Sequence, residues 1–292
     1  MFMKLFQHKW SIKEMAIVLG VSQQGYYKWL KREISPYKHE VLLANILEIR
    51  AKFQENENYG VKRLYLELKR KYEYKGSLRT IYRVCKENNL LIKKKRKPNA
   101  ITKADKEAQK SENIISQDFT AEEPNQKWLS DITEVPCADG KLYVSAILDC
   151  YDGAIVGLSM DDNMRKELCI STFENACKRY SASGMIFHSD RGSQYTSIAF
   201  REKLTKYGAI QSMSGTGRCY DNARMESFFA TLKKEKLYKI KTELLSKETV
   251  KTIIFRYIEI YYNRYRIYTT NKNGYPPLVY RAMYYRSLQT IA

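Results

Sequence analysis

The ligands of a structural zinc site are scarce in this chain and badly spaced. Only three histidines are present, at positions 8, 39 and 188, and the six cysteines form no Cys-x-x-Cys pair. Zinc modules need closely paired ligands, and small secreted folds need a framework of spaced cysteines. The composition therefore excludes both, and it predicts reduced thiols packed as small apolar side chains.

Long apolar segments are missing as well. No uncharged apolar run approaches the roughly 18 residues that a membrane-spanning helix needs. The start, MFMKLFQHKW, contains charges but has no apolar segment followed by a small-residue cleavage site. We therefore expect a cytoplasmic protein without a membrane partner.

Positive charge, by contrast, is abundant and unevenly distributed. The net charge of +19 divides into +15 in residues 1–110, −5 in residues 111–230 and +9 in residues 231–292. Basic flanks neutralise phosphates, and an acidic centre collects cations. The distribution therefore favours double-stranded DNA as a partner.

Residues 1–34 are typical of a helix-turn-helix. Ala16 lets two helices approach, Gly20 makes the turn between them, and Ser22 caps the second helix. That helix would carry five polar or aromatic side chains towards a DNA groove: Gln23, Gln24, Tyr26, Tyr27 and Lys28. A plain helical hairpin is the alternative.

Residues 35–97 predict a second helical DNA-binding region. A first helix, over 38–55, has core-type residues at helical spacing: Val41, Leu42, Ile46, Ile49 and Phe53. A second helix begins near Tyr59 and carries Lys62 and Arg63, which are candidate phosphate contacts. A third helix is capped by Ser77.

Five consecutive cations, at positions 93–97, end this region. Like charges in such a run repel one another, so Lys94, Lys95 and Arg96 predict a mobile linker or a phosphate-binding arm. Residues 98–122 are polar without a clear period and predict a linker to the next domain.

Residues 123–240 change to a pattern of alternating strands and helices. Strands are predicted at 128–133, 142–149, 154–158, 185–188 and 209–211, with helices at 164–180, at 197–207 and from about 221. This order predicts an α/β domain with a mixed sheet covered by helices. Residues 241–292 predict a helical extension of that domain.

Three acids of the central region could meet at one edge of the sheet. Asp131 lies in the first strand, Asp190 follows the fourth, and Glu226 falls in the first turns of the last helix. Carboxylates so close together repel one another unless cations join them, and oxygen ligands favour two Mg²⁺ ions or Mn²⁺ in their place. By spacing alone other acids compete, among them Asp139 as a turn residue, Asp149, and Asp221 as a helix cap.

Five stretches carry a resemblance to a known family. They are NQKWLSDIT, LYVSAILDCYDGAIVG, FHSDRGSQYTS, SMSGTGRCYDNARMESFFATLKKE and YYNRYRIYTTNKNGYPP. Together they resemble the integrase-type core of bacterial insertion-sequence transposases, specifically the second-frame (OrfB) product of the IS-three family. The N-terminal part of the chain, with IVLGVSQQGYYKWL and YGVKRLYLELKRK, resembles the helical DNA-binding region of the same products.

The resemblance implies a ribonuclease-H-like fold with Asp131, Asp190 and Glu226 as the metal-binding catalytic triad of a DDE transposase. It implies cleavage and strand transfer at the ends of an insertion element, and a first-frame (OrfA) partner or a fusion with it. We also expect a homo-oligomer on DNA. The alternatives are a nuclease of the same fold without strand transfer and a catalytically silent DNA-binding regulator. Two positions depart from the family pattern, Asp152-Gly153 and Tyr268, and neither belongs to the triad.

Several basic side chains could bind DNA beside the acids. Lys233 lies two helical turns after Glu226, on the same helix face, and could meet a phosphate, or it is simply a solvated lysine. Arg264 and Arg266 lie in a tyrosine-rich helix that either binds DNA or packs its rings on the sheet. His188 either positions substrate or is a hydrogen-bonded structural residue.

Overall fold

The structure is a computed structural model that describes residues 1–34, 37–92, 112–215 and 219–291. The predicted phosphate-binding arm with Lys94, Lys95 and Arg96 lies outside the described residues, as do positions 98–111 of the predicted linker. No helix in the described ranges is long and apolar enough to cross a membrane.

Residues 1–34 fold as a helix-turn-helix. Its helices are α1 (Phe2–Phe6), α2 (Ile12–Val18) and α3 (Gln23–Ile34). Ser11 and Glu14 form a reciprocal capping box at the start of α2. Gly20 makes the turn with a φ of +64°, a conformation that glycine adopts without strain.

Tyr26 belongs to the small core of this first unit. Its side chain is buried with Met3, Met15 and Ala16, so the prediction that it points to a DNA groove is wrong. The other four candidate residues of α3 are exposed: Gln23, Gln24, Tyr27 and Lys28.

Residues 37–92, hereafter the helical unit, form three further α-helices. They are α4 (Glu40–Ala51), α5 (Val61–Tyr72) and α6 (Leu78–Glu87), with a 3-10 turn at Gln54–Asn58 after α4. α4 is therefore shorter than predicted, because the chain is already extended at Phe53. Val41 is exposed rather than in the core, whereas Leu42, Ile46 and Ile49 are buried as expected.

The centre of the chain forms one five-stranded mixed sheet. Its strands are β1 (Lys127–Cys137), β2 (Gly140–Asp149), β3 (Ile155–Asp161), β4 (Ile186–Ser189) and β5 (Ile210–Met213). Their order is β3-β2-β1-β4-β5. The first three strands pair antiparallel, and β4 joins β1 and β5 in parallel. The predicted α/β fold with a mixed sheet is confirmed.

Helices cover both faces of this sheet. One face packs against α7 (Lys166–Cys177), α8 (Ser193–Thr196) and α9 (Ile198–Lys206). The other packs against α10 (Ala223–Glu235) and against α11 (Lys247–Phe255), which continues as a π-helical segment at Arg256–Tyr262. In that segment Tyr257, Tyr261 and Tyr262 are buried in the core, so the packing interpretation of the tyrosine-rich helix is confirmed.

The helical unit and the second face of the sheet share one apolar core. Leu64 and Leu68 of α5 and Ile81 of α6 belong to the same buried cluster as Leu129 of β1 and Phe228 of α10. Burial of apolar surface stabilises this contact between the unit and the sheet.

The last helix, α12 (Pro277–Ile291), is fixed to the end of β2 by a buried arginine. The Arg281 guanidinium donates to the carboxylates of Asp149, at 2.6 Å, and Asp152, at 2.7 Å. Charges buried this deeply are stable only when they are paired in this way.

Candidate active site

The sheet register brings Asp131 and Asp190 to the same level. Trp128 pairs with Phe187 and Leu129 with His188 in the parallel ladder between β1 and β4. The same offset, continued past the end of β4, sets Asp190 beside Asp131. Two acids that are far apart in the chain thus come to the same level of the sheet, one on β1 and one just past the end of β4.

Glu226 lies in the first turn of α10, and its side chain is exposed. The residue before the helix, Asn222, donates from Nδ2 to the carbonyl oxygen of Ser130 at 3.0 Å, which ties the start of α10 to the strand that carries Asp131. Asn222 is buried, and its Oδ1 has no hydrogen-bond partner among the described residues. Nothing in the sequence alone singled out Asn222.

Electrostatics indicate that Asp131 responds to the charges of the other two acids. The pKa of the Asp131 carboxyl is raised to about 7, first by burial and then by the charge of Asp190, with a further contribution from Glu226. A hydrogen bond from the Ile132 backbone N–H, at 2.8 Å, opposes this rise. Lys233 is half-buried, which lowers the pKa of its ammonium, while the charges of Glu134 and Asp131 act in the opposite direction.

Asp190 has solvent on one side and protein on the other. The residue is exposed, yet desolvation by the atoms packed around its carboxyl raises the pKa of that group. The Gly192 backbone N–H donates to its Oδ1 at 3.0 Å. This hydrogen bond involves Oδ1 of Asp190 and not Oδ2.

The donor set suits a hard divalent cation, although the three side chains do not converge on a single point. Carboxylate oxygens are the ligands that Mg²⁺ and Mn²⁺ prefer. A cation would relieve the repulsion that adds to the effect of burial on the pKa of Asp131. Across the described ranges, however, no three His, Cys, Asp or Glu side chains are arranged so that they could hold a metal ion. Metal ligation by the trio stays a prediction.

The residues around Asp190 are fixed by a buried polar network. His188 shares hydrogen bonds with Ser212 Oγ at 2.9 Å and Ser214 Oγ at 3.2 Å, and burial lowers its pKa to about 4. It is therefore neutral and structural. Asp221 does not cap α10 as predicted, because its carboxylate accepts from the Gly215 backbone N–H at 2.7 Å and from the side chains of Asn113 and Gln117.

The two positions that depart from the family pattern pack against each other. Gly153 has a φ of +75°, and a Cβ at this position would lie 2.3 Å from the ring of Tyr268. Asp152 is buried and paired with Arg281. Both positions therefore have a structural role.

The candidate DNA contacts differ in how accessible they are. Lys62 and Arg264 are exposed, and Arg63 is partly exposed with one guanidinium nitrogen 3.0 Å from Glu235. The prediction of a DNA contact at Arg266 is wrong for this structure, because its guanidinium is buried and donates twice to Glu235, at 2.8 Å each.

Comparison with known families agrees with this architecture. Residues 121–219 match the model of the integrase core domain, and residues 38–98 match an HTH-like domain. The second match covers α4 to α6 rather than the helix-turn-helix of residues 1–34.

Two curated relatives extend the similarity to nearly the whole chain. The insertion element IS600 uncharacterized 31 kDa protein of Shigella sonnei is 37% identical over 274 residues, which cover 93% of this chain and 99% of the relative. The InsF transposase of insertion sequence IS3A from Escherichia coli strain K12 is 34% identical over 268 residues, which cover 91% of this chain and 92% of the relative. The chain belongs to the IS3 (IS-three) family of transposases. This IS3-family transposase is thus an enzyme of the polynucleotidyl transferase class.

Solved structures with similarity to the transposase include a viral integrase core domain and a chain of a viral intasome. The HTLV-2 integrase catalytic core domain in complex with magnesium is 18% identical, covers 56% of this chain and 99% of its own, and gives a TM-score of 0.42. A second similar structure is a simian T-cell lymphotropic virus intasome in complex with the PP2A regulatory subunit B56 gamma. Its matching chain is 15% identical, the match covers 75% of this chain and 70% of that one, and the TM-score is 0.44.

Proposed function

We propose that this transposase binds the ends of its insertion element, cleaves one DNA strand at each end and transfers the freed 3′-hydroxyl to a target phosphodiester. Asp131, Asp190 and Glu226 are the catalytic residues. The observation that carries this proposal is the register of β1 and β4, whose offset sets Asp190 level with Asp131. The raised pKa of Asp131 supports it, since burial and then the charges of Asp190 and Glu226 contribute to that rise.

The three carboxylates would hold two Mg²⁺ ions, or Mn²⁺ in their place. When bound, such ions neutralise the charge on the attacking and leaving oxygens of a phosphoryl displacement. Asp131 and Asp190 are held by the sheet and by their backbone hydrogen bonds. The exposed Glu226 side chain would therefore be the one that turns towards them.

DNA binding divides between the two helical regions and the core. We assign base contacts to Gln23, Gln24 and Tyr27, and phosphate contacts to Lys28, Lys62, Lys94, Lys95, Arg96, Lys233 and Arg264. Arg63 would contribute only the guanidinium nitrogens that do not face Glu235. The phosphate contacts would supply most of the affinity, and the base contacts the sequence preference.

Further partners complete the proposal. We expect a homo-oligomer on the two element ends, together with a first-frame (OrfA) protein or a fusion with it. Chromosomal DNA in the bacterial cytoplasm would be the site of action.

The test is cleavage of an end duplex by the purified protein in Mg²⁺, followed by transfer to a plasmid target. Asp190→Asn should lower cleavage at least about 100-fold, because a carboxylate that acts on the reacting phosphate is lost. Asp162→Asn removes an exposed carboxylate beyond β3 and should cleave like the wild type.

Each failure has a distinct meaning. Equal cleavage by Asp190→Asn and wild type would refute the catalytic assignment. Cleavage without joined product would identify a nuclease, and end binding without cleavage would identify a DNA-binding regulator.

A further inference from the structure

The catalytic helix α10 ends in a set of ion pairs with the helical unit. Glu235 pairs with Arg63 of α5 at 3.0 Å. Two lysines that follow pair with the turn after α4: Lys236 with Glu55 at 2.8 Å and Lys239 with Glu57 at 3.6 Å. These three pairs are called the joint below.

Glu235 is the most heavily bonded member of the joint. Besides Arg63, its carboxylate accepts two hydrogen bonds from Arg266, at 2.8 Å each, and one from Tyr257 Oη at 2.9 Å. The residue is 6% exposed. A buried carboxylate with this many donors holds a single orientation, because any rotation would leave buried charges unpaired.

Uncharged contacts reinforce the joint. Tyr261 Oη donates to Asn56 Oδ1 at 3.0 Å, and the Ile267 backbone N–H donates to Tyr59 Oη at 3.0 Å. Both bonds are buried and connect the 3-10 turn region of the helical unit to the layer of tyrosines over the sheet. With the shared apolar core, they bind the unit and the catalytic domain into one continuous packed body.

The joint and the active site lie on the same helix. Glu226 precedes Glu235 by nine residues, which corresponds to about 14 Å along a rigid α-helix. Any displacement of the helical unit would therefore move α10 and, with it, the catalytic glutamate.

We propose that the joint fixes the distance between the DNA segment held by the helical unit and the catalytic carboxylates, so that the cut phosphodiester is selected by its distance from that segment. Glu235, Glu55 and Lys236 are positioning residues in this arrangement and do not touch the reacting atoms. The inference rests on the proposed function, because it requires both end binding and cleavage.

The first experiment uses duplexes that carry the terminal DNA of the element that encodes this chain. Between the segment that footprinting maps to the helical unit and the native cut position, one to four base pairs are inserted. The cut should move from the native junction towards the footprint by the same number of base pairs, so that its distance from the footprint stays constant. A cut that stays at the native sequence junction would overturn the inference and leave the proposed function intact. A footprint without any cut, on every duplex, would refute both.

The second experiment loosens the joint by charge reversal. Glu55→Lys alone should lower the fraction of cuts at the expected position at least about threefold, because a small displacement of reacting groups strongly affects rate. Combining it with Lys236→Glu should restore that fraction. Footprint affinity should be unchanged in the single and double variants.

Glu48→Gln is the matched control, because its carboxylate also pairs with a lysine, Lys71, but within the helical unit. It should leave the cut position unchanged. If Glu55→Lys cuts as uniformly as this control while its thermal unfolding is normal, or if the swapped pair fails to restore uniform cutting in a folded protein, the joint does not set the distance.

Discussion

At the scale of single residues, the pKa of Asp131 gives the first prediction. Its folded pKa of about 7 lies well above the ordinary value of about 3.9. The folded protein therefore binds this proton more tightly than the unfolded chain does. Its free energy of unfolding consequently falls as pH rises from about 4 to about 7, and stays low above that range.

Asp131→Asn should remove this penalty in metal-free buffer. At about pH 8 we expect the variant to melt roughly 2–4 °C above wild type, and the gap should shrink as pH is lowered through the same window. Thermal unfolding in EDTA measures it. Saturating Mg²⁺ should stabilise wild type more than the variant. A variant that melts at or below the wild-type temperature in EDTA at every pH would contradict the account.

Asn222 gives a second prediction at this scale. Asn222→Ala removes the hydrogen bond between the start of α10 and the Ser130 carbonyl oxygen. Because α10, which carries Glu226, is then held less firmly against β1, cleavage should fall about 10–100-fold. DNA affinity should be unchanged. Single-turnover cleavage measures it. Asn88→Ala is the control, since that amide also donates to a main-chain carbonyl, at 2.9 Å, but far along the chain in the helical unit. Equal cleavage rates in the two variants would refute a role for Asn222.

Acidic residues with a proposed function could be named from the sequence, while their partners could not. Asp131, Asp190 and Glu226 stand in motifs with family resemblance. The burial of Arg266 and the bonding of Asp221 depend on residues 31 and 108 positions away in the chain. No local sequence pattern encodes those contacts, so the sequence predicts a DNA contact at Arg266, which the structure buries as the partner of Glu235.

At the scale of elements, hydrophobic periodicity and helix-capping residues are sufficient to predict most of the secondary structure. All five strands and the main helices of the core were predicted within a few residues, because alternation and helical spacing are strong in long segments. The π-helical segment at 256–262 was not predicted. Its wider turn lets Tyr257, Tyr261 and Tyr262 all face the core. This arrangement depends on tertiary packing, which helix propensity does not describe.

Helix α3, to which we assign the base contacts, yields the element-scale prediction. Lys28→Ala should weaken binding equally on all sequences and lower the salt dependence of the binding constant by about one charge. Gln24→Ala should instead reduce the preference for element ends and leave the salt dependence unchanged. Fluorescence anisotropy at several salt concentrations, with end and unrelated duplexes, separates the two. The same effect from both substitutions would refute the division between phosphate and base contacts.

At the scale of the whole molecule, the proposed catalytic centre is assembled from three distant parts of the chain by one sheet and one helix. The register of β1 and β4 brings two of the acids to one level of the sheet, and the Asn222 bond ties the helix that carries the third to β1. The same helix then connects to the helical unit. The charge distribution along the chain agrees with this arrangement. The acidic central region contains the three proposed catalytic carboxylates, and the basic flanking regions contain most of the candidate DNA contacts.

The most direct measurement of this assembly is anomalous diffraction from Mn²⁺-soaked crystals of the protein with an end duplex. The account predicts anomalous density at about 2.1 Å from carboxylate oxygens of Asp131 and Asp190, with Glu226 turned in to complete the site. Density bound elsewhere, or none at these three residues at saturating Mn²⁺, would contradict it.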